Sequence, residues 1–87
     1  MSTINKLIDR FLSIPGDLTW EELIKVLGYY GFQIKKTGKT GGSRRKFVDE
    51  NNNVMILHKP HPASIVKQYA IRQVIQNLEE KGKIKNE

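Results

Sequence analysis

The chain has no cysteine, which excludes disulfides and thiolate metal sites. It has two histidines, His58 and His61, and three prolines. No apolar run approaches the ~20 residues of a membrane-crossing helix. The N-terminus, Met1-Ser2-Thr3-Ile4-Asn5-Lys6, lacks the continuous apolar segment of a secretory signal. The expectation is a soluble, cytoplasmic protein with no membrane contact. There are no internal repeats and no linker, so the 87 residues are expected to form one domain, 1–87. A chain this short buries only about 60–65% of its unfolded surface. With 38% hydrophobic residues, a deep pocket competes with the core for side chains. A broad surface site fits better.

Acidic residues are also scarce, but only in the middle. Between 34 and 73 there are nine cations, Lys35, Lys36, Lys39, Arg44, Arg45, Lys46, Lys59, Lys67 and Arg72, against Asp49 and Glu50, a net of +7. The flanks carry six cations and seven anions, so the whole excess of the +6 chain sits in one region. Such a field attracts polyphosphates in a salt-dependent way. The plain alternative is a merely solvated basic surface.

What is present gives the order α-α-β-β-β-α. Ile4, Leu7, Ile8, Phe11 and Leu12 fall at helical spacing over 3–13, and the Pro15-Gly16 step stops that helix. Thr19 and Glu22 form a capping box, with Leu18 and Leu23 placed as a hydrophobic staple. Trp20, Leu23, Ile24 and Leu27 make one apolar face, and Gly28 or Gly31 ends the helix. Trp20 at this spacing reads as core rather than as a base-stacking platform.

Phe32-Gln33-Ile34-Lys35-Lys36 alternates as a half-buried strand. Residues 44–49 and 54–58 are the next strands, the last the more buried. Glu50-Asn51-Asn52-Asn53 is the turn between them, since asparagine tolerates left-handed backbone. Ser64 is the expected cap of a last helix whose stripe is Val66, Ala70, Ile71, Val74, Ile75 and Leu78, ending at Gly82. Residues 83–87 are expected to fray. The packing that satisfies this order is an α+β sandwich, a three-stranded antiparallel sheet with helices on one face. The other face is free for the cations.

Two stretches stand out. Thr37-Gly38-Lys39-Thr40-Gly41-Gly42-Ser43-Arg44-Arg45-Lys46-Phe47 is a glycine-rich basic turn running into a strand. Leu57-His58-Lys59-Pro60-His61-Pro62 holds both histidines. We read them as rims of one surface for an anionic ligand, most simply RNA. Gly38-Lys39-Thr40 is not a P-loop, because Gln33 stands where its first glycine belongs and a strand follows. Backbone amides near Gly42-Ser43 can still meet a phosphate. The His-x-x-His spacing lies on a proline turn with no carboxylate or cysteine near in sequence, so no metal and no cofactor is expected. Histidine can also serve as general base or acid in phosphodiester cleavage. RNA needs no metal for this when its 2′-hydroxyl is deprotonated and Lys or Arg meets the developing charge. A histidine bonded to backbone at a strand end is the structural alternative for each.

Gly42-Ser43-Arg44-x-x-Phe47, then the hairpin, then Leu57-His58-Lys59-Pro60-His61-Pro62, then Ala70-Ile71-Arg72-x-x-Ile75 in a terminal helix, resembles the HicA toxins of bacterial type II toxin–antitoxin systems. The resemblance covers roughly 19–82 and leaves 1–16 as an added helix and turn. It implies a core like a double-stranded-RNA-binding domain (dsRBD-like) and a ribosome-independent mRNA endonuclease (an mRNA interferase) silenced by a HicB antitoxin. The chain departs from the family's Gly-Ser-His motif, placing Arg44 where the catalytic histidine belongs. Arginine stays protonated and is no ordinary general base, but it can clamp a phosphate or stabilise a pentacovalent oxyanion.

The expected site is therefore His58 or His61 as base, with Arg44, Arg45 or Lys46 in electrostatic support. Lys39, Gly42, Ser43, Arg44, Arg45, Lys46 and Lys59 are the expected RNA contacts. The partners expected are mRNA or other RNA and a HicB-type antitoxin. Two other classes stay open: a non-catalytic nucleic-acid-binding module, and a protein-interaction domain that docks an acidic partner. No heptad repeat demands a dimer.

Overall fold

The structure, a computed structural model, describes residues 3–35, 44–60 and 64–84. Their order is α1 (Thr3–Leu12), α2 (Trp20–Tyr29), β1 (Gln33–Lys35), β2 (Arg44–Val48), β3 (Val54–His58) and α3 (Gln68–Glu80). The sheet is antiparallel in the order β1-β2-β3. This is the α+β arrangement expected, with the α-β-β-β-α run of a dsRBD-like core preceded by one more helix. Among the described residues no helix is long and apolar enough to cross a membrane.

The second helix starts where its residues dictate. Thr19 accepts a hydrogen bond from the Glu22 N–H at 3.1 Å, and Glu22 accepts one from the Thr19 N–H at 2.9 Å. Two otherwise orphaned amides are thereby satisfied. Leu18 and Leu23 are both buried beside this cap, as a staple requires. Gly31, at φ +92°, turns the chain out of α2 into β1, a conformation open to glycine at little cost.

One face of the sheet meets the helices. Phe47 of β2 and Met55 of β3 are buried in one cluster with Trp20, Leu23 and Leu27 of α2 and Ile71, Val74 and Leu78 of α3. Trp20 meets Phe47 edge to face, ring centroids 5.9 Å apart, so it is core, as its spacing predicts. Phe11 and Ile8 bring α1 into the same cluster.

Several expectations need correction. Ile34 shares Phe47's face but stands at the sheet edge and stays exposed, so β1 is not half-buried. β3 buries only Met55 and is not the more buried strand. Ser64 does not cap α3: the N-cap is Lys67, with no side-chain hydrogen bond. Residues 64–66 instead lie across the start of α2, with Trp20 N–H donating to Ser64 O and Val66 N–H to Leu18 O, both at 2.7 Å. These backbone bonds remove Ser64 from the helix and fix how α3 leaves the sheet. Of the tail 83–87, residues 85–87 lie outside the described residues, while Lys83 and Ile84 make contacts with the rest of the fold. Lys83 Nζ lies 3.0 Å from a buried Asp49 oxygen, and Ile84 packs on the core.

Candidate functional site

Strand alternation sorts the basic stretch onto two faces. Arg44 and Lys46 point away from the helices, on the open face. Arg45 and Phe47 point toward them. The register then places partners opposite each other: Arg44 with His58, Lys46 with Ile56 on one side and Lys35 on the other, and Val48 between Gln33 and Val54. Directly opposed side chains have Cβ atoms ~4.5–5.5 Å apart. The open face therefore carries Lys35, Lys46, Arg44 and His58 together, beside Ile56 and Val54, which are 57% and 46% exposed.

Of the sequence-derived site residues, Arg44, Lys46 and His58 are brought onto this face. Arg45 is not: its Nη1 donates to the Arg44 carbonyl at 2.8 Å. Lys59 is exposed at the end of β3. Lys39, Gly42, Ser43 and His61 lie outside the described residues. Lys35 was missed as a contact, although the period-2 alternation through 32–36 already carried it to the polar side. It faces Lys46 directly. Two like charges at that spacing repel, and an anion lying between them relieves the repulsion.

The acids of this region are kept away from that end. Asp49 is 5% exposed and fully engaged. Its carboxylate accepts from the backbone amides of Asn51 and Asn53 and from the Asn53 side chain, at 2.8–3.0 Å. Burial alone would raise its pKa. The Asn53 side chain, Lys83 and the two backbone amides outweigh that and hold it well below the usual carboxylate range. Asn52, at φ +64°, supplies the left-handed turn that lets these amides converge. A cleft of about 530 Å³ at this far end of the sheet is lined by Asp49 and Glu50 with Lys35, a poor lodging for phosphate. Among the described residues no three metal-ligating side chains cluster.

A smaller cleft, about 100 Å³, opens at the other end, between β3 and α3. It is lined by His58 and Ile56 of β3, by Tyr69, Ala70 and Gln73 of α3, and by Trp20. Sequence reading missed this place because Tyr69 lies off the apolar stripe of α3 and passed as surface.

The family model for the HicA toxin of bacterial toxin–antitoxin systems matches residues 20–79. The chain belongs to the HicA toxin family. It is the toxin component of a toxin–antitoxin pair. The match begins at the first residue of α2 and ends within the last turn of α3, so α1 of this HicA toxin and the Lys83 tether lie outside it. Neither curated proteins nor solved structures give a match.

Proposed function

We propose that this HicA toxin is an mRNA endoribonuclease that binds RNA on its open sheet face and cuts it without a metal, in the cytoplasm. The observation that carries the reading is the opposition of Arg44 and His58 on a face shared with Lys46 and Lys35. In this reading His58 takes the proton of a 2′-hydroxyl, and the oxygen attacks the adjacent phosphorus. The P–O5′ bond breaks, leaving a 2′,3′-cyclic phosphate and a 5′-hydroxyl that needs one proton. His61 is the second imidazole close in sequence for that proton. Arg44, a planar fork of donors, and Lys46 meet the charge that grows on the non-bridging oxygens. A HicB-type antitoxin with an acidic surface covers the same cations and silences the toxin.

A second reading is favoured by Arg44 itself, which stands where the family motif has histidine. It is an RNA-binding module that blocks its target without cutting it.

The test is induced expression of the wild type and of Arg44→Ala, His58→Ala and His61→Ala, followed by growth and mRNA integrity. Fragmented mRNA with the wild type, lost in His58→Ala, supports the nuclease. Intact mRNA with growth arrest by a folded wild type supports the binding module. Intact mRNA with normal growth removes both. Cleavage that survives both histidine changes removes the proposed base.

A further inference from the structure

We infer that the cleft between the edge strand β3 and α3 holds one unpaired nucleobase of the bound RNA, stacked on Tyr69. This rests on the RNA-binding reading above and adds to it what is read beside the phosphates. Three observations lead there. The first is composition. The cleft is lined by aliphatic side chains, by the Tyr69 ring, 61% exposed, and by the polar side chains of Gln73 and His58, with no carboxylate. A nucleobase has an apolar π-face and a polar edge, and the cleft offers a surface to each.

The second is size. About 100 Å³ takes a planar ring, whereas an α-helix from a protein partner is ~10–12 Å across with its side chains. The third is continuity. His58 and Ile56 belong both to the cleft and to the cationic sheet face. A backbone phosphate held at Arg44 therefore has its own base or the next within reach of Tyr69. Bases in a duplex are paired and stacked and cannot turn into such a cleft without being flipped out. Tyr69 and Gln73 are four residues apart on α3, so they share one helix face and act on one ligand.

The experiment measures binding of the full chain to a 2′-O-methyl oligoribonucleotide, which removes the attacking hydroxyl. Three probes are compared: the single strand, its duplex, and the single strand with abasic positions. Tyr69→Ala is expected to weaken single-strand binding roughly 5- to 150-fold, the range for one stacked base. Tyr69→Phe keeps the wild-type affinity. Neither change moves binding to the duplex or to the abasic strand. Tyr69 is largely exposed, so both variants are expected to fold, and circular dichroism checks it. Wild-type affinity of Tyr69→Ala for the single strand, while Lys46→Ala binds it weakly, overturns the inference and leaves the RNA reading intact. Self-association that depends on Tyr69, seen by light scattering without an effect on RNA, also overturns it. A wild type that binds none of the probes takes down both.

Discussion

Arg44 and His58 are cross-strand partners, directly opposed in the β2–β3 ladder on the face that the helices leave bare. The pairing joins a residue of the glycine-rich basic stretch, Thr37–Phe47, to the second residue of the histidine stretch, Leu57–Pro62. It puts an unconditional cation beside a group able to exchange a proton, a division of labour that phosphodiester cleavage can use. The two substitutions should therefore separate. His58→Ala is expected to lower single-turnover RNA cleavage by ~10²–10⁴-fold, the usual loss for an acid–base group, and to leave affinity nearly unchanged. Arg44→Ala should lower both. Equal losses in binding and cleavage for His58→Ala would show that it only holds RNA.

Lys46 offers a test in which stability and binding move in opposite directions. It sits opposite Lys35, and like charges across a ladder cost about 0.2–1 kcal/mol. Lys46→Gln should stabilise the free protein by about that amount in dilute buffer, with the gain fading as salt rises. It should also weaken RNA binding for all sequences alike and flatten the log–log salt dependence by about 0.7–0.9, one phosphate's worth. Urea titrations at two salt concentrations and anisotropy over a salt series measure the two effects. A loss of stability would mean that Lys46 is held by contacts rather than repelled.

The fold was legible where a local signal and a tertiary need agreed. Thr19 and Glu22 announce the start of α2 because the capping box is a property of four adjacent residues. Trp20 announces the core because its helical spacing sets it on one face with Leu23 and Leu27, and all three are buried. What the sequence hid was set between distant residues. Ser64 looks like a cap until its carbonyl is seen receiving the Trp20 amide. Lys83 looks like tail until Asp49, 34 positions earlier, is found buried beneath it. At the site, alternation alone separates Arg44 and Lys46 from Arg45. The opposition of Arg44 to His58 needed the register of the Glu50–Asn53 turn. The cleft at Tyr69 needed the place of α3 against β3, which no local pattern contains.

The helix outside the family match should prove integral to the fold. Phe11 of α1 is fully buried against α2. Arg10 spans the junction, donating to Asp17 at 2.6 Å and to the capping-box Glu22 at 2.9 Å. Phe11→Ala is expected to cost about 3–5 kcal/mol, a large share of a small domain's stability. Thr19→Ala, which removes only the cap, should cost about 1 kcal/mol. Both are read from urea midpoints at constant m-value. If Phe11→Ala were as mild as Thr19→Ala, α1 would be an appendage.

Asp49 should set the acid limb of stability. The side chain and amide of Asn53, the Lys83 ammonium and the Asn51 amide hold its folded pKa far below the ~3.9 of an unfolded aspartate. Glu22 moves the same way, lowered first by the Thr19 amide and then by Arg10. For a carboxylate whose folded pKa is depressed, the linked stability is complete above the unfolded value. It is lost as pH falls toward the folded one, because the unfolded chain then takes up the proton first. Thermal midpoints of the wild type should therefore hold from pH 7 to about 5 and drop steeply below about 4. Asp49→Asn keeps the shape and removes the titration. It leaves Lys83 facing a neutral amide, so its midpoint at pH 7 should fall by at least about 5 °C. Its curve below pH 5 should run flatter than the wild type's and converge on it. A variant that kept the full acid slope would place the responsible carboxylate elsewhere in the chain.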